Sequence, residues 1–245
     1  MSHTSHQMAQ RKGFTLIELI MVLTVLIALT GIVLPQVDFL RRTSDKTTGA
    51  AGIRQIADNV QLFRTVNGNY PNGWDSLVDS AGGALMDSSA FGTKLGLVTL
   101  TANQALSLTR VGINQVFSHE QAPYSTSYRN LPGNSGVTPV AVAAGVELAQ
   151  VTNADIIGSV YPNGSIPAGV TLVAMGAGPN LSSLGKTLVA APTYAGVDAL
   201  TRYNRFAVIL AVYDDGKRAQ LKGALDSSGD FLDQEIMEVY ENNLE

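Results

Sequence analysis

Catalysis, metal binding and phosphate binding each need particular residue types at particular spacings, and this chain of 245 residues offers few of them. Cysteine is absent, which excludes a disulfide framework, a thiolate metal site and cysteine catalysis together. The histidines are His3, His6 and His119. A Ser-His-Asp relay or a histidine zinc site inside the folded part would have to be built around His119. In the context Phe117-Ser118-His119-Glu120 that residue is expected in a loop. Gly185-Lys186-Thr187 matches the end of a phosphate-binding loop, but the glycine required five residues earlier is Asn180. No enzyme activity is expected. An acidic group, Asp226, Asp230, Asp233 and Glu235, surrounds Ser227-Ser228-Gly229. Oxygen ligands on a flexible loop suit calcium, so Asp226, Asp230 and Asp233 are weak calcium candidates. The spacing lacks the alternating ligands and closing glutamate of an EF-hand, and a solvated turn in which Asp230 caps a last helix is the plainer expectation. One more carboxylate stands apart, Glu18, alone in an apolar run.

That run, Phe14 to Leu34 (FTLIELIMVLTVLIALTGIVL), is 21 residues long. As helix it would rise ~31 Å, matching a hydrocarbon core of ~30 Å. Arg11-Lys12 before it and Arg41-Arg42 after it leave orientation open under the positive-inside rule. A secretory signal peptide would have a shorter apolar region and a small-x-small cleavage site, whereas Pro35-Gln36-Val37-Asp38 follows here. An ordinary single-span anchor leaves Glu18 unexplained, since a carboxylate inside lipid is costly and is usually paired and functional. A third reading supplies a partner: cutting the chain after Gly13 would free the amino group of Phe14.

Lys12-Gly13-Phe14-Thr15-Leu16-Ile17-Glu18 resembles the prepilin cleavage and methylation motif of type IV pilins and type II secretion pseudopilins. Pro35, twenty-two residues into the cut chain, lies where that family often carries a helix-kinking proline. The resemblance covers about residues 11–66, roughly a quarter of the chain. It implies a leader, 1–13, removed by an inner-membrane prepilin peptidase, and N-methylation of Phe14. It implies that Glu18 neutralises the Phe14 amine of a neighbouring subunit in the assembling filament. It also implies a single-pass precursor in the inner membrane with the carboxyl-terminal domain outside the cytoplasm, later part of a periplasmic pseudopilus or a cell-surface pilus. The implied partners are other pilin-like subunits, the peptidase, an inner-membrane assembly platform and membrane lipid. Some pseudopilins hold calcium in a carboxyl-terminal loop, which is where the acidic group above would fall.

Past Leu34 the helix is expected to continue to residue 67. Pro35 should bend or loosen it, and Gly31, Gly49 and Gly52 add flexibility. Ile53, Ile56, Ala57, Val60 and Phe63 recur at three- and four-residue intervals and define one buried face, and Asn67-Gly68 is a stop. Residues 68–245 form the head, with 68–165 a connecting region and 166–245 carrying sheet. In the connecting region Asn69 to Trp74 is turn chemistry, Asp75 is expected to cap a short helix through Val78, and Thr101 to Arg110 is a capped helix with Leu106 inward. Strands are expected at Val170–Ala174, Thr187–Ala190, Phe206–Tyr213 and Lys217–Leu225, the last two joined by a hairpin at Asp214-Asp215-Gly216. Phe231–Tyr240 is a final helix burying Phe231, Ile236 and Val239–Tyr240. The expected class is α+β: one long helix, transmembrane over 14–34, packed on a carboxyl-terminal antiparallel sheet in the pilin manner.

Composition fits that plan. Hydrophobic residues are 45% and charged residues 15%, so there is ample apolar surface to bury and the chain is not intrinsically disordered. With a pI near 5.4 and no basic run beyond two residues, nucleic acid is not expected as the main partner. Residues 1–66 hold seven Lys and Arg against four Asp and Glu, while residues 67–245 hold nine against sixteen. The two parts therefore suit different surroundings. The rival to a polymerising subunit is a monomeric, membrane-anchored periplasmic protein whose head binds a ligand.

Overall fold

The computed structural model describes residues 15–86, 91, 94–119, 137–194, 197, 202–234 and 236–237, apart from the side chains at positions 35, 38 and 42. Contacts divide the chain at Arg42 into two units, 1–42 and 43–245. One helix, α1 (Leu16–Asn67), begins in the first and ends in the second. Its helical backbone continues through Pro35, so the expected loosening there does not end it.

In the first unit α1 is apolar on every side. Leu16, Ile20, Leu23, Ile27, Val33 and Leu40 are all exposed. Among the described residues this is the one helix long and apolar enough to cross a membrane by length and composition, with a mean hydropathy of 2.7 over its best 18 residues and none of that window buried. A helix that is hydrophobic all round needs an apolar environment, and none of the described residues covers this part of α1.

In the second unit the periodicity of α1 becomes one-sided, as its sequence predicts. Ile53, Ile56, Val60 and Phe63 are buried and Ala57 packs beside them, while Arg54 and Asp58 form an exposed i,i+4 pair at 3.7 Å. Gly52 is where the ring of Phe206 lies against the helix: a Cβ there would overlap that ring. The expected role of this glycine, flexibility, is replaced by close approach. The helix stops at Asn67, and Gly68 takes the left-handed conformation (φ 77°) with its N–H bonded to the Arg64 carbonyl.

Among the described residues the sheet has eight strands: β1 (Trp74–Asp79), β2 (Leu95–Thr99), β3 (Gln115–His119), β4 (Val137–Ala141), β5 (Glu147–Val151), β6 (Val170–Gly176), β7 (Ala207–Tyr213) and β8 (Ala219–Leu225). Two short helices lie between strands, α2 (Ala102–Arg110) and α3 (Ala154–Val160). The order is β2-β5-β6-β1-β3-β4, with β7 also paired to β6 and β8 to β7. All pairs are antiparallel except β1 with β3. The class is thus α+β, but the sheet is mixed, not antiparallel throughout. The parallel pair exists because the chain between β1 and β3 is long enough for a crossover, which a tight turn cannot provide. Five of the eight strands precede residue 166, so the region expected to be connecting supplies most of the strands.

β6 and β7 are the centre of the core. Val173, Met175, Val208, Leu210 and Val212 face a layer containing Ile53, Ile56 and Val60 of α1 and Leu108 of α2. The alternate residues Leu172, Ala174, Ala207, Ile209 and Ala211 face Leu77, Met86, Phe91, Ile156 and Tyr203. A strand buried on both faces reads as a continuous apolar run, which is the pattern of Phe206–Val212. Each such side chain contributes about 1.5–3 kcal/mol of burial.

Several local expectations are corrected. Asp75 does not cap a helix; Trp74–Asp79 is strand β1. Thr187–Ala190 is not a strand: Gly185 is left-handed (φ 75°), and the Ser183 carbonyl accepts the N–H groups of Lys186, Thr187 and Leu188, curling the chain into turns and leaving only a Leu184–Leu188 bridge. α2 is capped by Thr101 with Gln104 in a full capping box, but Leu106 is exposed and Ala105 and Leu108 point inward. Near the carboxyl end 232–234 and 236–237 are helical; Phe231 is buried, but Ile236 is exposed because no described element covers that side. Val239 and Tyr240 lie outside the described residues.

Candidate functional site

Gly13 and Phe14, the expected cleavage and methylation positions, lie outside the described residues. Thr15 and Glu18 are described. The Thr15 N–H donates to Glu18 Oε2 at 2.8 Å and its hydroxyl donates to the same oxygen at 3.0 Å. The Glu18 N–H in turn lies 3.3 Å from Thr15 Oγ1. This is a capping box, in which threonine and glutamate three residues apart satisfy each other's orphan backbone donors at a helix start. The carboxylate also lies at the positive end of the helix dipole. Glu18 therefore has a partner within its own chain, which the sequence reading assigned only to an amine. The pattern Thr15-x-x-Glu18 was visible in the sequence, but the surrounding apolar run directs attention to lipid instead.

The acidic group near the carboxyl end does not converge. Asp226 is fully buried, and its Oδ1 accepts the N–H groups of Ser228 and Asp230, both at 2.8 Å. Asp230 Oδ1 accepts from Lys94 Nζ at 2.6 Å, and that ammonium also reaches the Gly229 carbonyl. Asp233 is exposed. Among the described residues no three Asp, Glu, His or Cys side chains come together as a metal site. Two of the calcium candidates, Asp226 and Asp230, are thus occupied in turn formation and ion pairing, and Glu235 lies outside the described residues. Asp230, expected to cap the last helix, instead holds Lys94, and the Phe231 N–H bonds Gln234 Oε1. Lys186, from the fragment resembling a phosphate loop, places its ammonium 5.5 Å from the centre of the Phe63 ring.

His119 is not in a loop. It ends β3, is 1% exposed, and its Nε2 lies 2.8 Å from Asp75 Oδ1. The other oxygen of Asp75 accepts the Tyr203 hydroxyl at 2.9 Å. Asp75 and Tyr203 are both fully buried. Sequence separations of 44 and 128 residues hide this association from any local pattern. Elsewhere on the head, the Tyr161 hydroxyl is pushed above its ordinary value by burial and then by the nearby Tyr213.

In comparison with known proteins, no family model, no curated protein and no solved structure matches this chain.

Proposed function

We propose that this chain is a structural subunit of a type IV pilus or a type II secretion pseudopilus, working by assembly and not by catalysis. The observation that carries the reading is the surface of α1 between Leu16 and Leu40: a mostly apolar helix whose described side chains are all exposed, opening on Thr15 and Glu18 immediately after Gly13-Phe14. In the inner membrane lipid covers that surface. In a filament the same surface packs against helices of neighbouring subunits, and Glu18 exchanges its Thr15 contacts for the Phe14 amine of a neighbour. The head remains outside the cytoplasm.

Intact-mass and peptide analysis of protein recovered from sheared surface or periplasmic filaments tests this directly. The expected material begins at N-methylated Phe14 and contains neither His3 nor His6. Recovery of assembled protein with residues 1–13 attached would overturn the processing step.

A further inference from the structure

We propose that the outer edge of β2 pairs with β2 of a second copy of this chain, antiparallel and about a two-fold axis, so that two heads share one sheet. Among the described residues three strands, β2, β4 and β8, pair with a neighbouring strand on one side only. An open strand edge is a template for another chain, and folded proteins blunt it with proline, charge, bulges or a covering segment. β4 and β8 are blunted in these ways. The Val142 N–H donates to the Asn114 carbonyl, which sets the alternation along β4. Thr138 and Val140 turn their backbone groups towards β3, and Val137, Pro139 and Ala141 turn theirs outward. Pro139 therefore removes an N–H from the middle of the outer row. In β8 the outward N–H of Leu221 donates to the Tyr70 hydroxyl at 3.0 Å, Phe231 bridges Leu225, and the register with β7 slips between Ile209 and Leu210. Lys222 adds an exposed charge.

β2 has none of these devices. Its sequence, Leu95-Gly96-Leu97-Val98-Thr99, holds no charge and no proline, and its register with β5 is unbroken. The Thr152 N–H donates to the Lys94 carbonyl at 3.0 Å, and the Leu100 N–H to the Val146 carbonyl at 2.8 Å. Gly96 and Val98 therefore face β5, and Leu95, Leu97 and Thr99 direct their N–H and C=O groups away from it. Among the described residues no backbone group bonds to that outer row. Exposure rises along it, from buried Leu95 through half-buried Leu97 to exposed Thr99.

The chemistry of the row selects its partner. Antiparallel β2 strands meet with Leu97 opposite Leu97 and Leu95 opposite Thr99, and each of these pairs can exchange both of its backbone bonds. The row is thus complementary to itself, the condition for a two-fold contact. Charge points the same way. Residues 67–245 carry nine Lys and Arg against sixteen Asp and Glu, so two heads repel over most of their surface. β2 is an uncharged stretch, and Lys94 before it is already paired with Asp230. Leu97 belongs to neither core layer, and self-pairing brings it against its own copy. A two-fold contact closes on itself. It joins two subunits side by side and does not propagate a filament, so it stands apart from growth through α1.

The chain has no cysteine, so Thr99→Cys gives a single site for a nitroxide at the exposed end of the edge. The experiment measures dipolar broadening of that label in the full chain in detergent. In the proposed register the two labelled positions are offset along the strands, with about 14 Å between their backbones. The expected result is broadening that is relieved by dilution with unlabelled wild type. Leu97→Lys and Leu97→Glu, each alone in the labelled chain, place like charges opposite each other and should abolish the broadening; mixing the two should restore it. Absence of broadening without these substitutions, at every concentration at which the chain stays dissolved, would overturn the pairing. So would broadening that persists in Leu97→Lys alone, as contact elsewhere on the chain would give, or a mixture that stays unbroadened. If the charged variants do not fold, Leu97→Pro, which removes an outward donor as Pro139 does in β4, decides: broadening retained overturns the proposal. None of these readings requires a filament or cleavage after Gly13, so the pairing and the assembly reading fail independently.

Discussion

At the scale of single residues, the proposed processing site depends on the smallness of Gly13. A peptidase that must bring the backbone before Phe14 close to its catalytic groups tolerates a methyl group better than a branched side chain. Gly13→Ala should still be cut in part, and Gly13→Val should accumulate as a precursor heavier by the thirteen leader residues, read by immunoblot and mass spectrometry. The acid four residues beyond is a different case. The Thr15–Glu18 capping box is a local arrangement, and Thr15-x-x-Glu18 can be recognised without any structure. Asp75 and His119 cannot be recognised in that way. Nothing in Trp74-Asp75-Ser76 or Ser118-His119-Glu120 signals that the two side chains meet, because their contact is created by the parallel pairing of β1 with β3. A buried ionisable pair is legible from sequence only when its partners share a helix turn or a hairpin, and these do not.

Elements were legible in proportion to how local their determinants are. The buried stripe Ile53, Ile56, Ala57, Val60 and Phe63 follows from helical period alone, and the β7–β8 hairpin from an apolar run ending in Asp214-Asp215-Gly216. β1 was not legible, because Pro71-Asn72-Gly73 before it and Asp75-Ser76 within it carry turn chemistry, and its strand form depends on distant neighbours. Gly52 was misread for a related reason. Its lack of a side chain admits the Phe206 ring, 154 positions further along the chain. Gly52→Val should therefore cost about 1–3 kcal/mol through overpacking, seen as a lower denaturation midpoint of the full chain in detergent. A second prediction at this scale concerns the surface between α3 and the β7–β8 hairpin. There Lys222 sits over the Tyr161 ring and Arg218 over Tyr213. Because the folded state raises the Tyr161 hydroxyl above its ordinary value, the unfolded chain loses this proton first as pH rises. Its contribution is complete below about pH 10 and is lost as pH climbs through the higher folded value. Tyr161→Phe should flatten the alkaline fall in thermal stability, and an unchanged slope would show that other groups govern it.

At the scale of the whole molecule, the two parts of the sequence have opposite charge balance. Residues 1–66 carry a positive excess and residues 67–245 are acidic, and the two-faced core of the head takes Ile53, Ile56 and Val60 from the end of the first part. On the proposed reading α1 is covered by lipid or by copies of the chain, and Glu18 is the residue that separates those possibilities. Glu18→Ala removes an acid from an apolar helix, so membrane insertion should be unharmed or slightly favoured. It also removes one half of the capping box, which loosens only the first turn. Cleavage should survive, since Gly13 and the basic pair before it are unchanged. Incorporation into filaments should fail, because the neighbour's Phe14 amine is left buried without a counter-charge, and stranding one member of a buried pair costs about 3–5 kcal/mol. Glu18→Gln keeps the shape and one acceptor but not the charge, and should assemble poorly rather than not at all. The measurement is the partition of wild type and both variants between sheared filaments and membranes, at equal expression and with the full assembly machinery present. Equal entry of Glu18→Ala and wild type would remove the pairing step while leaving a filament. Wild type that never leaves the membrane fraction would remove the filament itself, and α1 would then be the anchor of a monomeric binding protein whose ligand must be sought on the head.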